Sequence, residues 1–302
     1  DSNRWGVSGL TDEQEHDGRV ARTAAALLKE FARTGKRFFL SMGSARPHTP
    51  LICPKKYVEM YDPQRIPWPP APPGKDRNVP PLATNFGRSH DIYPTPEQAR
   101  EVIAAYYACV TFLDAQLGLV LDTLEETGLA DNTIVVFFAD HGFHLGEHGV
   151  WSKYTLLEPT TRVPLIVRVP GAPGNGSTCR ELVELVDLVP TLGELAGLDL
   201  PDNLEGTSLV PLLIDPSRPW KKAAFTEWGD TGERRSMRTG RYRYNEQLYG
   251  GELIVELYDH EADPWETVNL ADDPAHAGAR KELAELLHAG WKAALPPRSP
   301  GE

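Results

Sequence analysis

The chain has 302 residues, 40% hydrophobic and 25% charged, about two domains' worth in length and ordinary for a folded protein, so neither a mini-protein nor a disordered chain is in question. Its 31 Lys and Arg against 43 Asp and Glu leave a net charge of -12, which argues against a general nucleic-acid binder and requires local positive charge for any anionic ligand. The unbroken apolar run Ile134 to Ala139 is far short of the roughly 20 residues of a membrane span, and no membrane partner is expected. Cys53, Cys109 and Cys179 lie far apart with no Cys-x-x-Cys spacing, which offers neither a disulfide framework nor a cysteine zinc site.

Asp1 to Trp5 carry neither an initiator Met nor a signal-peptide pattern, so the numbering is expected to begin inside a longer protein. Val20, Ala24, Leu27, Leu28 and Phe31 recur at helical spacing, and Gly35 closes that helix before Phe38 to Met42, which reads as a buried strand. Ten prolines fall between Pro63 and Pro96; with Trp68, Phe86 and Tyr93 among them, an ordered surface loop is expected rather than a free linker. Thr95-Pro96-Glu97-Gln98 is a capping box that launches a long helix ended by Gly128. Ile134 to Ala139 is apolar on both faces, as in a central parallel strand. Val163 to Val169 reads as a further strand and Leu182 to Leu198 as a helix, an alternation that predicts a mixed, mostly parallel α/β sheet flanked by helices. From about Trp220 the texture changes to short strands, at Ala223 to Trp228, Ser236 to Thr239, Arg241 to Tyr244 and Glu256 to Asp259, followed by a helix carrying Leu283, Leu287, Trp291 and Ala294. The expected division is therefore 1-219, a large α/β region, and 220-302, a small antiparallel subdomain.

The chemically loaded stretch runs from Ala139-Asp140-His141-Gly142 to Lys153. Asp140 and His141 can converge only where the strand ends and the backbone turns, which Gly142 permits, and the carboxyl ends of sheet strands are where α/β proteins bind ligands. A carboxylate and an imidazole there suit a divalent metal, while an Asp that caps the next turn beside a surface His is the plainer alternative. His144 and His148 are i, i+4, yet Gly146 and Gly149 favour a loop lining over a preformed zinc pair.

Ala139-Asp140-His141-Gly142, Leu145-Gly146-Glu147-His148-Gly149, Trp151-Ser152-Lys153 and Val163-Pro164-Leu165-Ile166 together resemble the type I sulfatase family of the alkaline phosphatase-like superfamily, most of all its iduronate-2-sulfatase branch. Asp17 to Val20, Arg46-Pro47-His48-Thr49-Pro50, Leu185 to Leu192 and Asp263 to Leu270 extend the resemblance over nearly the whole chain. It implies a sulfuric ester hydrolase acting on a sulfated saccharide, with Asp140 and His141 as ligands of one calcium ion, Lys153 on the sulfate and His48 near the leaving oxygen. It further implies a secreted, periplasmic or lysosomal setting. The group ending at Leu270 reads as an acidic Asp-Pro turn without chemistry.

The resemblance also implies a formylglycine nucleophile made from Cys or Ser in Cys/Ser-x-Pro-x-Arg, and no cysteine or serine here fits. The expectation is that this chain is the C-terminal portion of a longer enzyme, with formylglycine on an N-terminal portion or a second chain. Arg234, Arg235, Arg238, Arg241 and Arg243 crowd ten residues, and the last two alternate with Tyr242 and Tyr244. A strand with a solvated cationic face is one reading, and recognition of a sugar carboxylate or sulfate, with Arg238 touching substrate, is the other. Two further functions remain open: a phosphomonoesterase or mutase with two metals, and an inactive sugar-binding module.

Overall fold

A computed structural model describes residues 4–85, 95–151, 153–229 and 233–297. In chain order the strands and α-helices are β1 (Trp5–Val7), α1 (His16–Thr34), β2 (Leu51–Cys53), α2 (Lys55–Val58), α3 (Pro81–Asn85), α4 (Pro96–Glu126), β3 (Val135–Phe138), α5 (Glu158–Thr161), β4 (Leu165–Arg168), α6 (Leu188–Leu195), α7 (Val210–Ile214), β5 (Ala223–Trp228), β6 (Arg234–Thr239), β7 (Tyr242–Tyr249), β8 (Glu252–Asp259) and α8 (Ala277–Ala289). They gather into two compact units, one of 1–69 with 89–134 and one of 70–88 with 135–302.

In the first unit β1 and β2 pair in parallel, Trp5 opposite Leu51, and α1 and α4 pack together. Gly35 caps α1 in the left-handed region at φ 65° and returns its N–H to Phe31 O, as the expected stop requires. The α4 start is the expected one too: Thr95 Oγ1 accepts from the Gln98 N–H at 3.2 Å, with Pro96 in the first turn. One window of α4 is long and apolar enough to cross a membrane, but the side chains it buries, among them Ala99, Val102, Ile103 and Phe112, belong to a helix packed on α1, α2 and β2. Phe38 to Met42 is not the expected strand. It joins no ladder among the described residues; Phe38 stacks on Phe31 at 4.7 Å and Phe39 is 85% exposed. An apolar extended segment needs a neighbour's backbone groups to become a strand.

In the second unit β3 and β4 pair antiparallel, Val135 opposite Arg168 and Phe138 opposite Leu165. This corrects the expectation of a parallel neighbour for this run: the chain leaves β3, traverses 139–164 and comes back alongside it. Among the described residues the sheets are thus mixed: one parallel pair in the first unit, and in the second an antiparallel pair and a four-stranded antiparallel sheet in the order β5-β6-β7-β8. That last sheet is the expected C-terminal layer, with β7 and β8 longer than foreseen. Met237, Tyr244 and Leu257 on one face meet Leu283 and Leu287 of α8 in a buried core. Gly290, at φ 77°, ends α8 before Trp291 and Ala294, which lie in a following 3-10 turn rather than on the same helix. The helix expected over 182–198 is shorter, because Glu184 and Asp187 form a reciprocal capping box that starts its first turn at Leu185. Of the proline-rich loop, 86–94 with Phe86 and Tyr93 lie outside the described residues; 70–85 are tied down by His148 N–H to Ala71 O at 2.7 Å and Arg77 N–H to Thr267 O at 2.8 Å.

Candidate active site

The turn after β3 is shaped by steric contact. The Gly142 N–H donates to Thr160 O at 2.7 Å, and a Cβ on Gly142 would lie 2.1 Å from Pro159 O. Gly142 is needed because backbone passes this close, and its φ is not positive. The expected reason, freedom to turn, is replaced by absence of a side chain.

At that turn three of the sequence-selected side chains come together. Asp140 Oδ1 accepts the His141 N–H at 3.0 Å, and its Oδ2 is 3.7 Å from His141 Nε2. His141 Nδ1 lies 2.8 Å from Gly142 O, a carbonyl that can only accept, so Nδ1 carries the proton and Nε2 presents its lone pair. Lys153 Nζ donates to that lone pair at 2.8 Å. The Asp140 side chain is 84% exposed and that of His141 31%.

Asp140 Oδ2 and His141 Nε2 are spaced as two neighbouring ligands of one ion at calcium-oxygen distances of roughly 2.4 Å would be. The pair therefore fits one edge of a hard-cation site. A calcium ion takes six to eight oxygens, and the described residues gather no third acidic or histidine ligand there. The one such trio among them, Glu158, His260 and Glu266, is filled by a guanidinium: Arg243 Nε meets Glu266 and its Nη2 meets Glu158.

That trio shows how the Lys153 loop is held. Arg243 is 2% exposed and also donates to Ser236 Oγ at 2.8 Å, so the cationic strand face expected to be solvated is, at this position, a buried ion network. Burial alone would raise the Glu266 carboxyl, but Arg243 and His260 hold it down at about 2. Glu266 Oε2 also accepts the Glu158 N–H at 2.7 Å, so the turn read as lacking chemistry anchors the first turn of α5. Arg238 lies in the same network: its Nε is 3.6 Å from Glu158 Oε2 and 19% of its side chain is exposed. Burial lowers its pKa against the pull of Glu158.

His144 and His148 line the loop from inside, each with its own partner. His144 Nε2 is 2.8 Å from Thr155 Oγ1, and His148 Nδ1 is 2.8 Å from Asp76 Oδ1. Burial, with the neighbouring His148, pushes the His144 pKa down to about 3. Burial pulls His148 down as well, but the Asp76 carboxylate outweighs it and its pKa is raised.

His48 belongs to the first unit. It is exposed, and its Nδ1 lies 2.7 Å from Thr49 O, leaving Nε2 as the outward nitrogen. Its loop hangs on a carboxylate whose role sequence reasoning missed: buried Asp17 accepts from Ser44 Oγ at 2.6 Å, Ala45 N–H at 3.0 Å and Arg46 N–H at 2.8 Å. No local pattern marks that role, because the donors lie 27 to 29 residues away; the neighbouring Gly18 is required sterically, since a Cβ there would lie 1.6 Å from Asp12 O.

Comparison with known proteins shows which family the chain resembles. The family model "Sulfatase" matches residues 3–198, and the model "N-sulphoglucosamine sulphohydrolase, C-terminal" matches residues 146–292. A sulfatase of Formosa agariphila is 34% identical over 299 residues, covering 96% of this chain and 57% of that protein. The iduronate 2-sulfatase of Mus musculus is 35% identical over 223 residues, covering 61% of this chain and 40% of that protein. A solved phosphonate monoester hydrolase from Silicibacter pomeroyi superposes with a TM-score of 0.83 at 28% identity, over 98% of this chain and 63% of that one. The chain thus spans about half the length of the curated relatives it matches.

Proposed function

The chain belongs to the sulfatase family, within the alkaline phosphatase-like superfamily, and from that premise we propose that it carries part of the active site of a sulfuric ester hydrolase that removes sulfate from a sulfated carbohydrate. The observation that carries the proposal is the meeting of the Asp140 carboxylate, His141 Nε2 and Lys153 Nζ at the end of β3. A sulfate ester holds its charge on the nonbridging oxygens, and an ammonium fixed beside them stabilises the attack on sulfur. Asp140 and His141 are proposed to hold a divalent cation, with calcium favoured by the hard carboxylate oxygen; such an ion, when bound, neutralises charge on those same oxygens. Lys153 now donates to the lone pair that a cation needs, and the two cannot share it. Lys153 Nζ is therefore free to turn to the sulfate when His141 Nε2 has another partner.

His48 is proposed as the proton donor to the departing sugar oxygen. With Nδ1 held by Thr49 O, the proton it can give up is the one on Nε2. Arg238 is proposed as a positioning residue that acts through Glu158, given its place in that network. The nucleophile is proposed to come from residues outside this chain, because no Cys/Ser-x-Pro-x-Arg occurs in it. Support for a carbohydrate, in the manner of iduronate-2-sulfatase, comes from the family models and the mammalian relative. A second reading, hydrolysis of phosphate or phosphonate monoesters, is favoured by the likeness to the phosphonate monoester hydrolase.

Kinetics on the full-length protein decide between them. The expected result is kcat/KM highest for sulfate esters, and a Lys153→Ala loss on the order of 100-fold for every sulfate ester, aryl or sugar. A preference for phosphonate esters would move the assignment to the second reading, and an unaffected Lys153→Ala would remove Lys153 from the site.

A further inference from the structure

An ammonium on a flexible lysine stem is a preorganised donor only where the backbone beneath it is fixed. Lys153 Nζ meets His141 Nε2 across 12 residues of chain, so the stretch that carries Lys153 must be held in register with the stretch that carries His141. Just beyond Lys153, Thr155 is buried, with 6% of its surface exposed. Its Oγ1 lies 2.8 Å from His144 Nε2 and 2.9 Å from Thr160 Oγ1, and it accepts the Leu157 N–H at 3.4 Å. A hydroxyl has one proton to give and two lone pairs to receive, so these three partners use its whole capacity.

The anchors of Thr155 are tied to His141. His144 is fully buried and belongs to the same loop as His141. The Thr160 carbonyl accepts the N–H of Gly142, the residue after His141, at 2.7 Å. One side-chain oxygen therefore joins the Lys153 stretch to the His141 stretch. Leu156 and Leu157, also buried, hold the chain that follows, but apolar contact has no direction, whereas hydrogen bonds fix both distance and angle. His144, with its pKa pushed down by burial to about 3, is a neutral partner, so the junction keeps one protonation state from mild acid upward.

We propose that Thr155 is a positioning residue: its hydroxyl, shared among His144, Thr160 and the Leu157 N–H, sets the place of Lys153 relative to His141 and acts on the reaction through Lys153. The proposal rests on the reading of Lys153 as the group that meets the ester. Thr155 needs no contact with the ester itself.

The test uses the full-length protein with Thr155→Val, which keeps the branched shape without the hydroxyl, and Thr155→Ser, which keeps the hydroxyl without the methyl. Thr155→Val should lower kcat/KM for aryl and sugar sulfates alike by about tenfold, as displacement of a reacting group does. Thr155→Ser should stay within about twofold of the wild type. In a Lys153→Ala background, Thr155→Val should lower kcat/KM by less than about twofold more, because the group it acts through is gone; a merely structural role gives additive losses. A second readout needs no turnover. In the metal-free protein, the nitrogen resonance of His141 Nε2 should move in Thr155→Val towards the position it takes in Lys153→Ala, where its hydrogen-bond donor is missing. Thr160→Val, which removes one anchor, should give the same two signatures and decides the matter if Thr155→Val does not fold. Additive losses, no rescue by serine, or an unmoved resonance each overturns the proposal. If the protein prefers phosphonate esters or hydrolyses no ester, the sulfate reading falls and the resonance still decides for or against Thr155; sulfate hydrolysis with additive losses leaves that reading standing and removes Thr155.

Discussion

Gly142 shows how a single missing methyl holds a site. The Pro159 carbonyl occupies the space a Cβ would need, at 2.1 Å, and the Gly142 N–H is already bonded to Thr160. Backbone on both sides must shift to admit a side chain, and that shift moves Asp140 and His141, whose contact distances are set by this turn. Gly142→Ala should therefore cost at least about 2 kcal/mol of stability and lower kcat/KM; a melting temperature and activity equal to the wild type would show that the turn relaxes freely. Asp17 does the same for the His48 loop with three hydrogen bonds. Asp17→Ala strands those donors, so it should lower kcat for sugar esters with poor leaving groups more than for activated aryl sulfates, which need less proton donation.

Among the elements, α5 and β7 are joined by an ion pair between Glu158 and Arg243. Arg243 lies between Glu158 and Glu266 with almost no solvent access. Removing the cation leaves the buried Glu266 carboxylate and the partly buried Glu158 carboxylate without it. Arg243→Met should thus destabilise the protein by about 3–5 kcal/mol at neutral pH, read as a shift in the denaturant midpoint. Protonation relieves the stranded carboxylates, so the deficit should shrink as the pH is lowered; a deficit independent of pH would place the loss in packing instead. The same logic applies to Lys221, whose Nζ lies 2.6 Å from Glu184 and 2.7 Å from Asp187, joining the start of α6 to the strand that follows.

For the whole molecule the buried titratable groups predict which side of neutrality is weaker. His144 is held neutral, with a pKa of about 3 in place of 6.5, so between those values the unfolded chain binds a proton that the folded one refuses. Glu266, at about 2 in place of 4.5, supplies stability above its unfolded pKa that is lost as the pH falls towards its folded one. Both act in the same direction: stability should decline as the pH drops below about 6.5, by up to roughly 1.4 kcal/mol per pH unit from His144 alone. His148, raised by Asp76, works oppositely, stabilising below its unfolded pKa and losing that contribution as the pH rises through its folded one. His144→Asn should flatten the acid limb between pH 6 and 4, measured by urea unfolding, and an unchanged slope would show that His144 is protonated in the folded state. What could be read in the chain itself were features with local causes. The Thr95 cap and Pro96 start α4, Gly35 stops α1, and Asp140-His141-Gly142 follows an apolar strand, because capping and turning depend on residues one to four positions apart. Only the tertiary structure decided which charges are buried and which strands pair. Arg243 sits in a segment that reads as solvated, and its partners Glu158 and Glu266 stand 85 and 23 residues away; the run at Val135 carries no mark of the antiparallel partner thirty residues on. A charge goes inside only where a distant opposite charge meets it, and no local pattern records that meeting.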